Sequence, residues 1–237
     1  MPSCTTPLAV GAEQALEEII QAGGSGVVLQ ADLREDHAAE NLANAVIEAL
    51  VGRQLDLCVI NAEIAAASPL GHSDPADIWA MTMVNLLAPF ELINRLAPHI
   101  APEGSVITLS VAATHRVFSP DFAYFSATKA AMDCLVRHWA VALGNRGVRV
   151  NAIAPGVIEA NFRAQLLQNP TFRAELESAT ALGRAGQIAD VVDAVAFLAS
   201  LEARWITGQV IDVSGCSTRL KPPSARNINH LSGNPTS

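Results

Sequence analysis

Tyrosine occurs once in the 237 residues, at position 124, and aromatic residues make up only 5% of the chain. Charge is also scarce, at 16% of residues, while half of the sequence is apolar. That balance excludes disorder for most of the chain. No uncharged apolar run reaches the roughly 18 residues of a membrane span, so no membrane partner is expected. The opening Met1-Pro2-Ser3-Cys4-Thr5-Thr6 lacks the basic patch and apolar block of a signal peptide. The four cysteines, Cys4, Cys58, Cys134 and Cys216, contain no C-x-x-C pair. This usage fits a reducing compartment, and the expected localisation is cytoplasmic. Six scattered histidines without ligand spacing give no metal site. Basic residues are outnumbered, with a net charge of −8, so no nucleic-acid partner is expected.

What is present is an alternation of apolar runs and helical patterns. Leu8–Val10 is a short strand candidate, and Gln14–Gln21 reads as a helix stopped by Gly23-Gly24. Gly26–Gln30 reads as a strand. Asp36 is placed to cap a helix running to about Val51. Leu55–Asn61 is a buried-type strand, and Asp74-Pro75 opens a long helix to about Ile100, which Pro89 should kink or break. Ser105–Ser110 is a strand, Val111–Phe122 a loop, Ser126–Gly144 a helix and Val148–Ala154 a strand. One or two short helices are expected in 157–182, then a helix at Ala189–Ser200 and a last strand at Gln209–Val213. Residues 1–218 form one expected domain, and the Pro/Ser/Asn-rich residues 219–237 a disordered tail. Strands separated by helices predict an α/β fold with a parallel, doubly wound sheet, whose ligands lie beyond the C-terminal strand ends. The loops after Asn61, Ser110 and Ala154 are therefore where function is sought.

Several short patterns coincide in order there. Ala31-Asp32-Leu33 follows one strand, Asn61-Ala62 the next, and Asn85 lies in VNLLAPF on the long helix. Ser110 ends ITLSVAA, Lys129 lies in SATKAAMD, and RVNAIAPG spans Arg149–Gly156. LGRAGQIADVVDAVAFLAS and WITGQVIDVSG close the series. Together they resemble the short-chain dehydrogenase/reductase family over about residues 8–218. The resemblance implies a Rossmann-like sheet, NAD or NADP as cofactor, and hydride transfer between an alcohol and a carbonyl. It implies Ser110 as the substrate anchor, Lys129 as the ribose contact and pKa modifier, and Asn85 as support for a water relay. Asp32 would meet the adenine, and Asn61, Ala62, Pro155, Gly156 and Ile158 would line the cofactor. A homodimer or homotetramer is implied as well.

Four departures fall on the chemistry. The family opens with a strand, a TGxxxGxG turn and a helix whose N-terminus meets the diphosphate; none of these is present. The neighbours of the missing strand should then show unpaired edges. Either they re-pair, or another chain fills the gap, or the coding sequence extends upstream. The family tyrosine stands four residues before the lysine, where this chain has Phe125. Tyr124 is one residue earlier, rotated by about 140° from Lys129 on a continuous helix. A bulge or a late helix start after the long Ser110–Tyr124 loop would be needed to make Tyr124 the proton donor. Glu63 stands where the family has a glycine beside the cofactor, and Ala160 where it has a threonine.

Three functions follow. The first is an oxidoreductase homologue with weakened or lost hydride transfer, using Tyr124, Ser110 and Lys129. The second is a non-catalytic binding or regulatory subunit. The third is a cofactor-independent dehydratase or isomerase using Ser110, Tyr124 and Glu63. His115-Arg116 reads as a solvated pair rather than a substrate contact. The small-molecule substrate is not legible.

Overall fold

The computed structural model describes residues 7–159 and 168–217. Its centre is a four-stranded, all-parallel sheet in the order β1-β2-β3-β4. The strands are β1 (Leu55–Ile60), β2 (Ile100–Leu109), β3 (Arg149–Pro155) and β4 (Val210–Val213). Before the sheet come α1 (Pro7–Gln21) and α2 (Ala38–Leu50). Between β1 and β2 run α3 (Pro75–Thr82), a π turn (Met83–Leu87) and α4 (Ala88–Leu96). The long α5 (Ala123–Leu143) links β2 to β3, and α6 (Pro170–Ala179) and α7 (Ile188–Ala199) link β3 to β4.

The alternation of side chains along β2 and β3 divides the core in two. Val106, Val150 and Ala152 pack with Ile93 of α4 and with Met132, Val136 and Trp139 of α5. Ile107 and Ile153 point the other way, against Leu198 of α7 and Ala203. A third cluster joins Ala39 and Ala43 of α2 to Ala88, Leu92 and Leu96 of α4. Arg149 is buried and its guanidinium bonds the Leu198, Ala203 and Ala199 carbonyls. It thereby satisfies carbonyls at the C-terminus of α7, where a cation is favoured. Asn151 ties β3 to β4 by donating to the Ile206 carbonyl at 2.9 Å and accepting from the Gln209 amide at 3.1 Å.

The α/β fold class agrees with expectation, but several elements differ from it. Leu8–Val10 lies inside α1, because an apolar triplet with no pairing strand beside it continues the helix that follows. Gly26–Gln30 forms no strand, and its Val27, Val28 and Leu29 are exposed. A strand needs a neighbour, and none is offered there. Asp36 is not the cap of α2; His37 takes that position with φ 61° and makes no side-chain cap. Asp74 does cap α3, accepting from the Ala76 amide at 2.8 Å, with Pro75 at the first helical position. Pro89 does not break the long helix. The π turn immediately before α4 absorbs its missing N–H. The helical stretch Pro75–His99 is long and apolar enough to cross a membrane by composition, yet it supplies Met81, Val84, Leu92 and Ile93 to the core. The expected tail, 219–237, lies outside the described residues.

Among the described residues no strand pairs with the outer side of β1. Leu57 and Val59 on it are each 40% exposed. The core is held instead by β2 and β3. Replacing Ile107 by Ala should therefore destabilise the protein by about 2–5 kcal/mol, read as a fall in the urea midpoint at unchanged slope. A loss below about 0.5 kcal/mol would show that Ile107 is not in a close-packed core.

Candidate active site

Three strand ends meet at one side of the sheet. After β1 comes Asn61-Ala62-Glu63, after β2 comes Ser110, and after β3 come Pro155 and Gly156. The register that aligns Leu109 with Ile153, followed by a 2.7 Å bond from the Ser110 amide to the Ile153 carbonyl, brings the second and third together. Asn85 is fully enclosed in the π turn and fixes the first. It accepts from the Ile64 amide at 2.9 Å, donates to the Ile64 carbonyl at 2.8 Å, and donates to Thr128 Oγ1 at 3.2 Å. An asparagine that is poor in a regular helix is thus used as a two-sided clip between the β1 loop and α5.

Lys129 comes up from α5 and is buried, with 4% of its side chain exposed. Its Nζ donates to the Leu109 carbonyl at 2.8 Å and pairs with Glu63 Oε2 at 2.7 Å. Glu63 is the residue whose carboxylate stands in place of a glycine, and here it neutralises the site's cation. The partner carbonyl and carboxylate together make the burial of the ammonium tolerable.

Tyr124 does not join this group. Helix α5 starts at Ala123, so Tyr124 already lies on its first regular turn, and no bulge or late start turns it round. Its hydroxyl is hydrogen-bonded to Thr82 Oγ1 of α3 at 2.8 Å, and its amide donates to Ser68 Oγ at 3.0 Å. Phe125 takes the buried face in its stead. It borders a cavity of about 440 Å³ formed with Val111, Arg116, Val117, Phe118 and Phe122. The expected donor therefore points to α3, because burial of Phe125 and Lys129 on one stripe of α5 fixes the helix rotation.

Ser110 lies at the end of β2 with its Oγ buried and without a hydrogen-bond partner. Behind it is a residue that the sequence reading passed over, Asp133, one helical turn beyond Lys129. Burial pushes its carboxyl above the ordinary 3.8, against the opposing pull of the Ser110 and Thr114 hydroxyls and the His115 and Arg137 charges. Its Oδ1 is likewise buried and unpartnered. The signal available in sequence was an aspartate on the apolar stripe of an amphipathic helix, in register with Phe125 and Lys129.

His115 and Arg116 are not simply solvated. Arg116 pairs with Asp212 at 2.8 Å and donates to Ser214 Oγ at 3.0 Å and to the Ser217 carbonyl at 2.6 Å, tying the loop after β2 to the end of β4. His115 stands 3.5 Å from the same Asp212. Asp32, expected near an adenine, is bound to its neighbour Arg34 at 2.5 Å on the exposed segment before α2. That pairing holds its carboxyl down at about 2. Ala160 lies outside the described residues. Among the described residues no cluster of histidine, cysteine, aspartate or glutamate could hold a metal.

The fit to a dinucleotide is partial. At the nicotinamide end, Gly156 is a close approach that only glycine allows, since a Cβ would lie 2.9 Å from Ser214 Cα. Beside it Ile158 bridges to Gly186. At the diphosphate end, among the described residues, no strand, glycine turn and helix precede β1, and α1 is followed only by the unpaired segment at 26–30. Glu63 adds a carboxylate where an anionic group would approach. The residues present do not fit the whole dinucleotide.

Comparison with known proteins places this geometry. A family profile described as enoyl-(acyl carrier protein) reductase matches residues 5–218. The 3beta-hydroxysteroid dehydrogenase 1 of Eggerthella lenta is 32% identical over 212 residues, covering 88% of this chain and 80% of that protein. The 3-oxoacyl-(acyl-carrier-protein) reductase FabG of Staphylococcus aureus is 31% identical, covering 86% of this chain and 82% of its own length. Among solved structures, the angucycline C-6 ketoreductase LanV with bound NADP superposes with a TM-score of 0.80 at 33% identity, over 87% of this chain and 81% of that one.

The raised Asp133 carboxyl makes a signed prediction. A group whose folded value lies above its unfolded one, about 3.9, contributes stability that is fully present below the unfolded value. That stability is lost as pH rises through the folded value. Asp133→Asn does not titrate, so its melting temperature should gain on the parent between pH 4 and pH 8. Thermal melts at both pH values check this, and an equal difference at the two would refute it.

Proposed function

Because the chain belongs to the short-chain dehydrogenase/reductase family, we propose that it is a homologue of NAD(P)-dependent oxidoreductases whose own hydride transfer is weakened or lost. Its relatives include a 3beta-hydroxysteroid dehydrogenase, a 3-oxoacyl-(acyl-carrier-protein) reductase and an angucycline C-6 ketoreductase. Solved relatives hold NADP or NADPH. One observation carries the reading: the single tyrosine is bonded to Thr82 while Phe125 occupies the face beside Lys129. A phenyl ring cannot donate a proton, and loss of a general acid lowers a rate by about 10²–10⁴. In this reading Ser110 remains the anchor for a substrate oxygen, Lys129 the cation beneath it, and Asn85 the clip that holds the β1 loop. The cavity beside Phe125 receives an apolar substrate, and residues 1–218 act as one domain.

The pairing of Lys129 with Glu63 supports a second reading, in which the fold serves as a binding or regulatory subunit. The exposed Trp79, Leu87 and Phe90 of the α3–α4 helices support association as a homodimer or homotetramer in either case.

Titration of the purified chain with NADH and NADPH, followed by a carbonyl-reduction assay, tests the first reading. The parent chain should turn over slowly or not at all. Phe125→Tyr, which restores a phenol four residues before Lys129, should raise the rate by about 10²–10⁴ in a sample that binds nucleotide. Rapid turnover by the parent that falls in Tyr124→Phe would overturn the proposal. Absence of binding at millimolar nucleotide would leave the subunit reading.

A further inference from the structure

The wall of the cavity beside Phe125 is aromatic and carries no spare charge. Phe118, Phe122 and Phe125 all line its volume of about 440 Å³. The one stacked ring pair among the described residues, Phe90 with Trp139, lies elsewhere, so these three rings are not spent on one another. Aromatic rings favour offset or edge-to-face contact with another ring. Among the described residues Arg116 is the one ionisable member of the wall. Its guanidinium is committed to Asp212 at 2.8 Å, to Ser214 Oγ at 3.0 Å and to the Ser217 carbonyl at 2.6 Å. Two hydroxyls complete the lining. Ser119 Oγ accepts from the Asp121 amide at 3.3 Å. Ser126, half-buried near the start of α5, makes no hydrogen bond among the described residues. Thr82 and Thr128 differ: each donates to a carbonyl of its own preceding turn, Ile78 at 2.7 Å and Phe125 at 2.8 Å. The Ser126 hydroxyl therefore keeps its donor and its acceptor sites unspent at the cavity wall.

We propose that this cavity binds a neutral, flat aromatic compound bearing a hydroxyl or carbonyl oxygen, and that Ser126 is the specificity-determining residue that hydrogen-bonds that oxygen. The proposal rests on the reading of the cavity as the place of an apolar substrate, and it names the class. Ser126 follows Phe125 in sequence and stands four residues, about one helical turn, after Phe122. The start of α5 thus brings a hydroxyl and two rings to one space. An anion entering there would lose its water and find the guanidinium of Arg116 already held by Asp212, and burying an unpaired charge is costly. A linear alkyl chain gains apolar contact but no ring-to-ring contact. A ring without an oxygen removes Ser126 from water and leaves it unbonded, and a site with such a group discriminates against the analogue that lacks its partner. None of this needs a proton donor or a nucleotide, so the binding persists in a chain whose hydride transfer is lost.

The test is titration of the full chain with 2-naphthol, without nucleotide and near neutral pH, followed by naphthyl fluorescence. Naphthalene, 2-naphthoate and decanol are measured by competition. The parent should bind 2-naphthol about tenfold or more tightly than the charged 2-naphthoate. It should prefer 2-naphthol over decanol, which has as many heavy atoms, by about 2–10-fold. Ser126→Ala should weaken 2-naphthol by about 3–10-fold, the worth of one net hydrogen bond, and leave naphthalene unchanged. Alanine is a better helix former than serine, so this variant keeps α5. Phe122→Leu should weaken both naphthyl compounds and leave decanol unchanged. Absence of 2-naphthol binding, or decanol or 2-naphthoate binding as tightly, would overturn the ligand class. Equal loss of 2-naphthol and naphthalene in Ser126→Ala, or no loss of either, would overturn the role of Ser126. Failure of nucleotide binding or turnover bears on the hydride-transfer reading alone, while this panel decides the cavity.

Discussion

The rotation of α5 about its own axis decides what the rest of the site can be. Phe125, Lys129, Met132, Val136, Trp139 and Ala140 are all buried, at spacings of three, four and seven that make one stripe down the helix. The lower part of that stripe packs on Val106, Val150 and Ala152 of the sheet. Rotating it to bring Tyr124 inward would expose Met132 and Val136 and strand the Lys129 ammonium. Burial of such side chains is worth roughly 1.5–3 kcal/mol each, far more than the one hydrogen bond Tyr124 makes to Thr82. A single residue of offset between tyrosine and lysine is therefore enforced by the core and cannot be relieved locally.

The second constraint is the sheet edge. Four parallel strands with helices on both faces bury Val106, Ile107, Val150 and Ile153 completely. The stretch before α2 has no such support. Helix α1 is exposed along residues 11–21 apart from a half-buried Leu16, and the apolar segment at 27–29 is unpaired. Parallel edges with apolar side chains are unusual because they invite pairing with another strand. The same region is where a dinucleotide's diphosphate would be held in this family. Among the described residues the unpaired edge and the absence of a glycine turn therefore fall together before β1.

Much of this was legible in the sequence, in unequal measure. The four strands that pair were readable as the apolar runs Leu55–Asn61, Ser105–Ser110, Val148–Ala154 and Gln209–Val213, but β2 begins already at Ile100, through a Pro102-Glu103-Gly104 stretch that carries no strand signal. Gly26–Gln30 carries the same local signal and forms no strand, because pairing depends on a neighbour that a local window does not see. Pro89 announced an irregularity, but whether a helix breaks or swells into a π turn depends on the packing of Ala88, Leu92 and Ile93 on both sides. At the site, Ser110, Lys129 and Asn85 were found by their motifs, and the offset of Tyr124 by counting. Glu63 was visible as a misplaced carboxylate, but its partner was not. Asp133 was missed because an aspartate within SATKAAMD reads as a solvated helix residue until α5 is seen against β2.

The electrostatics of the site follow from how its charges are already used. Lys129 is held by Glu63 and by the Leu109 carbonyl, Arg116 by Asp212, and Arg184 by Asp190. Each of these three cations thus has an internal anion. An incoming anionic ligand would have to displace Glu63 from a nearly buried ammonium, and breaking one partner from a buried pair typically costs about 3–5 kcal/mol. The carboxylate released is 39% exposed and can be taken up by water, which returns part of that loss. Ser110 Oγ, buried and without a hydrogen-bond partner, is left as a polar group at these strand ends whose bonding is unspent.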